Sequence, residues 1–272
     1  MEKYSAIARH LFRPFKASVV GDIVKFLLVV AGLTWLIARG TDLLGYNWQW
    51  YRVPRYIFKY GSDGFHAGPL LEGLAVTFKI TGLSLVLATL FGLVAALFRL
   101  SSSFSAAALA RIYMEVTRNT PLLVQLFFIY FVMGPVLGVS RFFSAVLALS
   151  LFEGAYASEI FRAGIVSIHR GQWEAAYSLG LSTYQTYRHI ILPQALRRIL
   201  PPLTSQAISL IKDSALVSTI AVYDLTMRGQ EIIADTYLAF EIWFAVAGMY
   251  LVVTVTLSLL VGIMEKRLRM AV

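Results

Sequence analysis

The stretch 80–98, ITGLSLVLATLFGLVAALF, holds nineteen residues without a charge. At about 1.5 Å of rise per residue, some 20 helical residues match the roughly 30 Å hydrocarbon layer of a bilayer. The stretch therefore reads as a membrane-spanning helix. Two further uncharged runs, 122–139 and 242–264, have the same character. Three others carry an ionisable residue: 19–37 with Asp22 and Lys25, 142–158 with Glu153, and 200–223 with Lys212 and Asp213. The sequence thus predicts an all-α polytopic membrane bundle of about six transmembrane helices. A β-barrel is excluded, because its strands alternate in polarity over about ten residues and these runs are continuous.

Composition agrees. Of 272 residues, 58% are hydrophobic and 14% charged, which is the balance of an integral membrane protein. The chain has no cysteine, so disulfides, thiolate zinc sites and cysteine nucleophiles are all removed. His10, His66, His169 and His189 are scattered and form no metal spacing. The basic start and the apolar segment after it are similar to a signal peptide. No small-x-small cleavage site follows before Arg39 and Gly40, so the segment reads as a retained anchor.

The net charge of +9 is explained by the positive-inside rule and needs no nucleic acid. With both termini cytoplasmic, fifteen of the twenty-four Lys and Arg fall on the inner side. The segment 224–241 carries Asp224, Glu231, Asp235 and Glu241 against Arg228 and belongs outside. The outer loop YNWQWYRVPRYIFKYGSDGF, 46–65, is rich in Trp and Tyr, which suits the membrane interface better than a substrate cage.

On the cytoplasmic side this places RGQWEAAYSLGLSTYQTYRHIILPQALRRILPP, 170–202. Residues 171–179 predict a short helix with Glu174 near its N-terminal end and Gly180 as a left-handed cap. Ser182 and Gln185 form a capping box for a second helix that runs to Leu192, where Pro193 interrupts it. Trp173, Ala176 and Leu179 give the first helix an apolar face. A helix this short is marginal in water, so it packs on its own bundle or enters a groove on another protein.

Glu174, Ala175, Ala176, Gly180, Ile190, Leu192 and Pro193 together resemble the EAA motif of ABC importer permeases. The stretches RNTPLLVQLFFIYF (118–131), EGAYASEIFRAGI (153–165) and LIKDSALVSTI (210–220) are similar to the polar amino acid uptake subfamily. The resemblance covers about 70–269. It implies a permease core over 70–272 with a cytoplasmic coupling loop at about 159–198. The region 1–69 then adds a tail, an extra anchor and the aromatic loop. It further implies that Glu174, Ala175, Ala176 and Gly180 couple the chain to a cytoplasmic ABC ATPase dimer. A second permease, identical or homologous, and an extracytoplasmic amino-acid-binding protein complete the implied importer in a bacterial cytoplasmic membrane. ATP and Mg belong to the ATPase. This chain has no G-x-x-x-x-G-K-[ST] loop, so it is read as a transport subunit without cofactor and not as an enzyme.

Intramembrane ionisable residues mark a candidate substrate path. Lys212 lies roughly 18 Å along a helix from Leu200, near the midplane. Pro201, Pro202, Ser214, Ser218 and Thr219 suit a broken or hydrated helix lining a cavity. Asp213 or Glu153 can take an amino group and Lys212 a carboxylate, which fits a zwitterionic amino acid. Alternatively, Lys212 pairs with Asp213 or Glu153 and only fixes packing. Asn119 or Thr120 can cap a helix starting at Pro121, with Gln125 one turn inside, facing the cavity or bonding another helix. Glu159 and Arg162 are spaced to pair locally. A competing function is a secondary transporter driven by an ion gradient, with Glu153, Lys212 and Asp213 as the relay. Intramembrane enzyme motifs are missing.

Overall fold

The computed structural model describes residues 19–43, 45–61 and 64–269. The basic N-terminal tail expected on the cytoplasmic side falls outside the described residues. Two compact units divide between Trp48 and Gln49. The first contains α1 (Val19–Leu43), long and apolar enough to cross a membrane, with Lys25 Nζ 3.3 Å from Asp22 Oδ1.

The second unit opens with a 3₁₀ turn (Trp50–Arg52), a one-turn helix α2 (Pro54–Ile57) and an antiparallel hairpin, β1 (Phe58–Gly61) and β2 (Gly64–Ala67). Residues 50–61 of the aromatic loop are therefore folded. The Gln49 backbone N–H donates to Glu241 at 2.6 Å, and the Trp50 ring lies 6.1 Å from that of Phe244. Helix α3 (Pro69–Leu100) follows and is joined by Ser101–Ser103 to α4 (Phe104–Arg118). Next come α5 (Leu122–Phe127), a π-helical turn (Phe128–Met133) and α6 (Gly134–Leu137). Helix α7 (Arg141–Val166), the short α8 (Arg170–Ser178), and α9 (Thr183–Thr186) lead into a second π-turn (Tyr187–Ile191) and α10 (Leu192–Asp213). A 3₁₀ segment (Ser214–Ile220), α11 (Leu225–Thr236) and α12 (Ala239–Arg269) end the chain.

Among the described residues four helices are long and apolar enough to span, and a fifth crossing arises if α4 and the α5–α6 run form one bent span. That run, expected as a span at 122–139, meets α4 at 107°. The sixth expected span, 200–223, is the α10 region; Arg197, Arg198, Gln206, Lys212 and Asp213 keep it from being uniformly apolar. Pro193 does not interrupt the helix as its sequence suggests. The widened π-turn before it absorbs a residue that has no N–H to give, and the helix continues from Thr183 to Asp213. Pro201 and Pro202 also lie inside α10 without breaking it.

The frame is the pair α3 and α7. The buried stripe of α3 runs Gly73, Thr77, Ser84, Ala88, Gly92 and Ala96, and α7 answers with Ala148, Ser150, Gly154, Ala155, Ala157 and Ser158. Small residues let helix backbones approach where lipid offers no hydrophobic drive to associate. A Cβ built on Gly92 would lie 2.7 Å from Ala157 Cβ and 2.9 Å from the Gly154 carbonyl oxygen. One end of the pair is tied by Glu159, which accepts from Arg162 at 2.5 Å and from Arg99 of α3. At the other end the Leu225 N–H donates to Thr77 at 3.2 Å. There Asp224 is fully buried and caps α11 by accepting from the Met227 N–H at 2.8 Å, with the Tyr250 hydroxyl donating at 3.3 Å. Burial outweighs these bonds and pushes the Asp224 carboxyl up from 3.8 to about 6.

Gly92→Leu should destabilise the fold by about 1–3 kcal/mol through forced separation of α3 and α7. Thermal melting in detergent is expected to fall, whereas Gly82→Ala, which meets nothing within 4 Å, should melt as the parent does. For Asp224, a folded pKa above the ordinary value adds stability that is fully present below about pH 4 and is lost as pH rises through about 6. Asp224→Asn keeps the cap and removes the titration, so melting temperature should lose that part of its decline between pH 4 and 7.

Candidate functional site

Helix α8 starts where α7 ends. Ser167 closes α7, and His169 Nδ1 then accepts the Gly171 N–H at 3.1 Å as the N-cap of α8. Its other end is a Schellman turn: the Gly180 N–H donates to the Tyr177 carbonyl at 2.9 Å and the Leu181 N–H to the Ala176 carbonyl at 3.1 Å, with Gly180 at φ +75°. The glycine sits where the sequence asks for a left-handed cap. No atom approaches within 4 Å of the Cβ that a larger residue would add there, so the constraint is backbone conformation alone. After the turn, Ser182 and Gln185 make the expected capping box.

The two faces of α8 differ. Ala176 is 3% exposed, and Trp173 packs edge-on to Tyr187 at 5.1 Å within a cluster that includes Phe161, Ile165, Ile168, Ile191 and Ala195. The outer face carries Glu174, held by Arg170 at 2.8 Å, together with exposed Ala175 and Tyr177. Leu179, expected on the packed face with Trp173 and Ala176, is 80% exposed, because it lies past the last α-helical turn where the chain reverses. Of the four coupling candidates, Glu174, Ala175 and Gly180 are exposed and Ala176 is turned into the chain.

The path candidates divide into four groups. Glu153, 2% exposed in the middle of α7, accepts from Gln206 Nε2 of α10 at 2.6 Å, and the Asp213 carboxyl lies within hydrogen-bonding reach of it. Lys212 is exposed and takes part in none of the salt bridges among the described residues, while its charge still acts on the neighbouring Asp213 carboxyl. Ser214 and Ser218 return their hydroxyls to the carbonyls of Ile211 and Ala215, both at 2.8 Å. Gln125 stands apart. Its Nε2 donates to the Thr117 carbonyl at 2.7 Å and to the carbonyl and hydroxyl of Thr120 at 3.0 and 2.9 Å. It therefore clamps the bend between α4 and α5. Neither Asn119 nor Thr120 caps α5: Pro121 is its N-cap, and the two side chains bond back to Glu115 and Val116 of α4.

Gln206 is a site residue that no motif marks in the sequence. Its spacing of seven from Asp213, two helical turns, is the signal that places both on one face of α10. That helix also exposes Pro202, Ser205 and Lys212, with Ser209 half-buried between them, in steps of three and four.

Residues 88–270 match the family model described as binding-protein-dependent transport system inner membrane component. The glutamine transport system permease protein GlnP of Escherichia coli (strain K12) is 43% identical over 203 residues, 74% of this chain and 93% of that one. The L-cystine transport system permease protein TcyB of Bacillus subtilis (strain 168) is 42% identical over 206 residues, 74% of this chain and 87% of that one. Among solved structures, an amino acid ABC transporter with histidines superposes with a TM-score of 0.70 at 40% identity, covering 73% of this chain and 94% of that chain. The inward-facing methionine ABC transporter MetNI, at 19% identity and a TM-score of 0.64, shares the fold. Apolar spans, a short capped helix between α7 and α10, and these likenesses lead to one conclusion: the chain belongs to the family of binding-protein-dependent transport system inner membrane components, the multi-pass permeases of ABC importers.

Proposed function

We propose that this permease moves a polar amino acid into the cell, driven by ATP hydrolysis in a separate ATPase subunit that docks on the outer face of α8. The division of α8 carries the reading. Its inner face is consumed by the chain's own core, whereas Glu174, Ala175, Tyr177 and Leu179 are left outside, ahead of a turn that stops the helix at Gly180. ATP and Mg stay with the ATPase, and an extracytoplasmic binding protein delivers the substrate. The named relatives, which carry glutamine and cystine in their names, support the substrate class.

The path runs along the polar stripe of α10. An exposed ammonium such as Lys212 in hydrocarbon is costly unless water or protein covers it. A second permease, identical or homologous, supplies that cover and closes a cavity over Ser205, Ser209 and Lys212. There Lys212 receives the substrate carboxylate, and the Glu153–Asp213 carboxyls lie behind it to meet the amino group. The positive-inside bias supports cytoplasmic termini. The relatives named as transport system permeases weigh against the ion-gradient relay.

Purification from the native membrane should bring down an ABC ATPase whose activity rises with binding protein and L-glutamine. Uptake by this chain alone that collapses with the ion gradient would overturn the proposal. Gly180→Asp has room for its side chain and faces only the left-handed strain of about 1 kcal/mol. Membrane levels within twofold of the parent are therefore expected, with ATPase association and uptake each reduced at least tenfold. Quantifying all three in one preparation checks this, and retained association with retained uptake would refute the docking role.

A further inference from the structure

The link between α8 and α10 has two parts. Along the chain it is a Gly180 turn and the single turn of α9, a connection with little stiffness of its own. Through space it is a set of side-chain contacts. The Trp173 ring meets the Tyr187 ring at 5.1 Å and 81°, and Gln194 Nε2 donates to Gln172 Oε1 at 3.2 Å. Gln194 Nε2 also donates to the Ile190 carbonyl at 2.8 Å, inside the π-turn itself. Tyr187 is the first residue of that turn, and the Leu192 N–H closes it on the Tyr187 carbonyl. Arg198 adds a hydrogen bond from its guanidinium to the Ser167 carbonyl and another to the Ser167 hydroxyl at 3.0 Å, which ties α10 to the residue where α7 stops.

A nine-residue helix has little stability alone, so these contacts fix its direction. Two of them reach the π-turn, Trp173 on Tyr187 and Gln194 on the Ile190 carbonyl, and that turn is the one place where the helix from Thr183 to Asp213 departs from α geometry. Widened turns of this kind are frequent where helices carry function.

We infer that Trp173, Tyr187 and the Gln172–Gln194 bond clamp α8 to the π-turn so that α8 and α10 move as one rigid body, with Trp173 and Tyr187 as positioning residues for energy coupling. This rests on the reading of α8 as the ATPase-docking helix. A displacement imposed on α8 then shifts the stripe of α10 that carries Ser205, Ser209 and Lys212, and Gly180 is not a hinge.

The chain has no cysteine, so Gln172→Cys with Gln194→Cys introduces a single pair in this subunit. In the complete transporter reconstituted in vesicles, the pair is bridged by a short, reducible bis(methanethiosulfonate) reagent. ATP hydrolysis and L-glutamine uptake are then measured before and after reduction. The bridged transporter is expected to work within twofold of the reduced one. A tenfold loss of uptake on bridging, restored by reduction, would overturn the rigid body and leave the docking role standing. A wild-type transporter without ATP-driven uptake would instead overturn the docking role and this inference with it. Separately, Trp173→Ala should raise the ATP consumed per glutamine moved several-fold while the ATPase remains bound, and Tyr187→Phe, which keeps the ring, should leave the ratio unchanged. An unchanged ratio in Trp173→Ala would count against the clamp.

Discussion

Everything else in the permease core depends on the approach of two helix backbones where Gly92 of α3 faces Gly154 and Ala157 of α7. In water, apolar side chains of any size would drive such helices together. In lipid that drive is lost, and helices associate through close van der Waals contact and a few polar bonds. Small residues serve this better than large ones, which explains why α3, a strongly apolar helix, buries mainly Gly, Ala, Ser and Thr and turns Leu83, Val86, Leu90 and Leu97 outward. The polar ties are Arg99–Glu159–Arg162 at one end, Thr77 with the Asp224 cap at the other, and between them the Ser84 hydroxyl donating to the Val146 carbonyl at 3.3 Å. With α3 and α7 fixed, α10 is placed by Gln206 on Glu153 and by Arg198 on Ser167.

The same constraint assigns the ionisable residues to two environments. Glu153 lies inside one chain, and its bond to Gln206 and the nearby Asp213 carboxyl are internal to the bundle. Lys212 lies on the surface of one chain. Adjacent positions on a helix point in different directions, so one α10 can hold a carboxyl to its own bundle while offering an ammonium to whatever covers it. The charged pair that looks like one feature in the sequence thus faces two sets of neighbours, although the Lys212 charge still acts on the Asp213 carboxyl.

Much of this was legible beforehand. Membrane class followed from uncharged runs, since length and charge alone decide whether a helix can span. The Gly180 cap and the Ser182–Gln185 box were legible because both are local backbone problems with few solutions. The bend between α4 and α5 was not, because Asn119, Thr120 and Pro121 suit a cap as well as a break, and the choice fell to Gln125 folding back on Thr117 and Thr120. The Pro193 reading failed for a related reason. A proline announces a missing hydrogen bond, but whether the chain breaks or widens its turn depends on packing around Tyr187 and Ile191. Nor could spacing say that Ala176 faces inward and Leu179 outward, because that depends on where α8 meets the rest of the chain.

The shortness of α8 is itself informative. A longer helix could hold its own shape and present any face, but nine residues cannot, so the inner contacts of Trp173 and Ala176 also determine which way Glu174, Ala175 and Tyr177 point. The outer surface is therefore only as well oriented as the inner one is packed. An abrupt stop at Gly180 then keeps that surface small, with its direction set by the chain's own core.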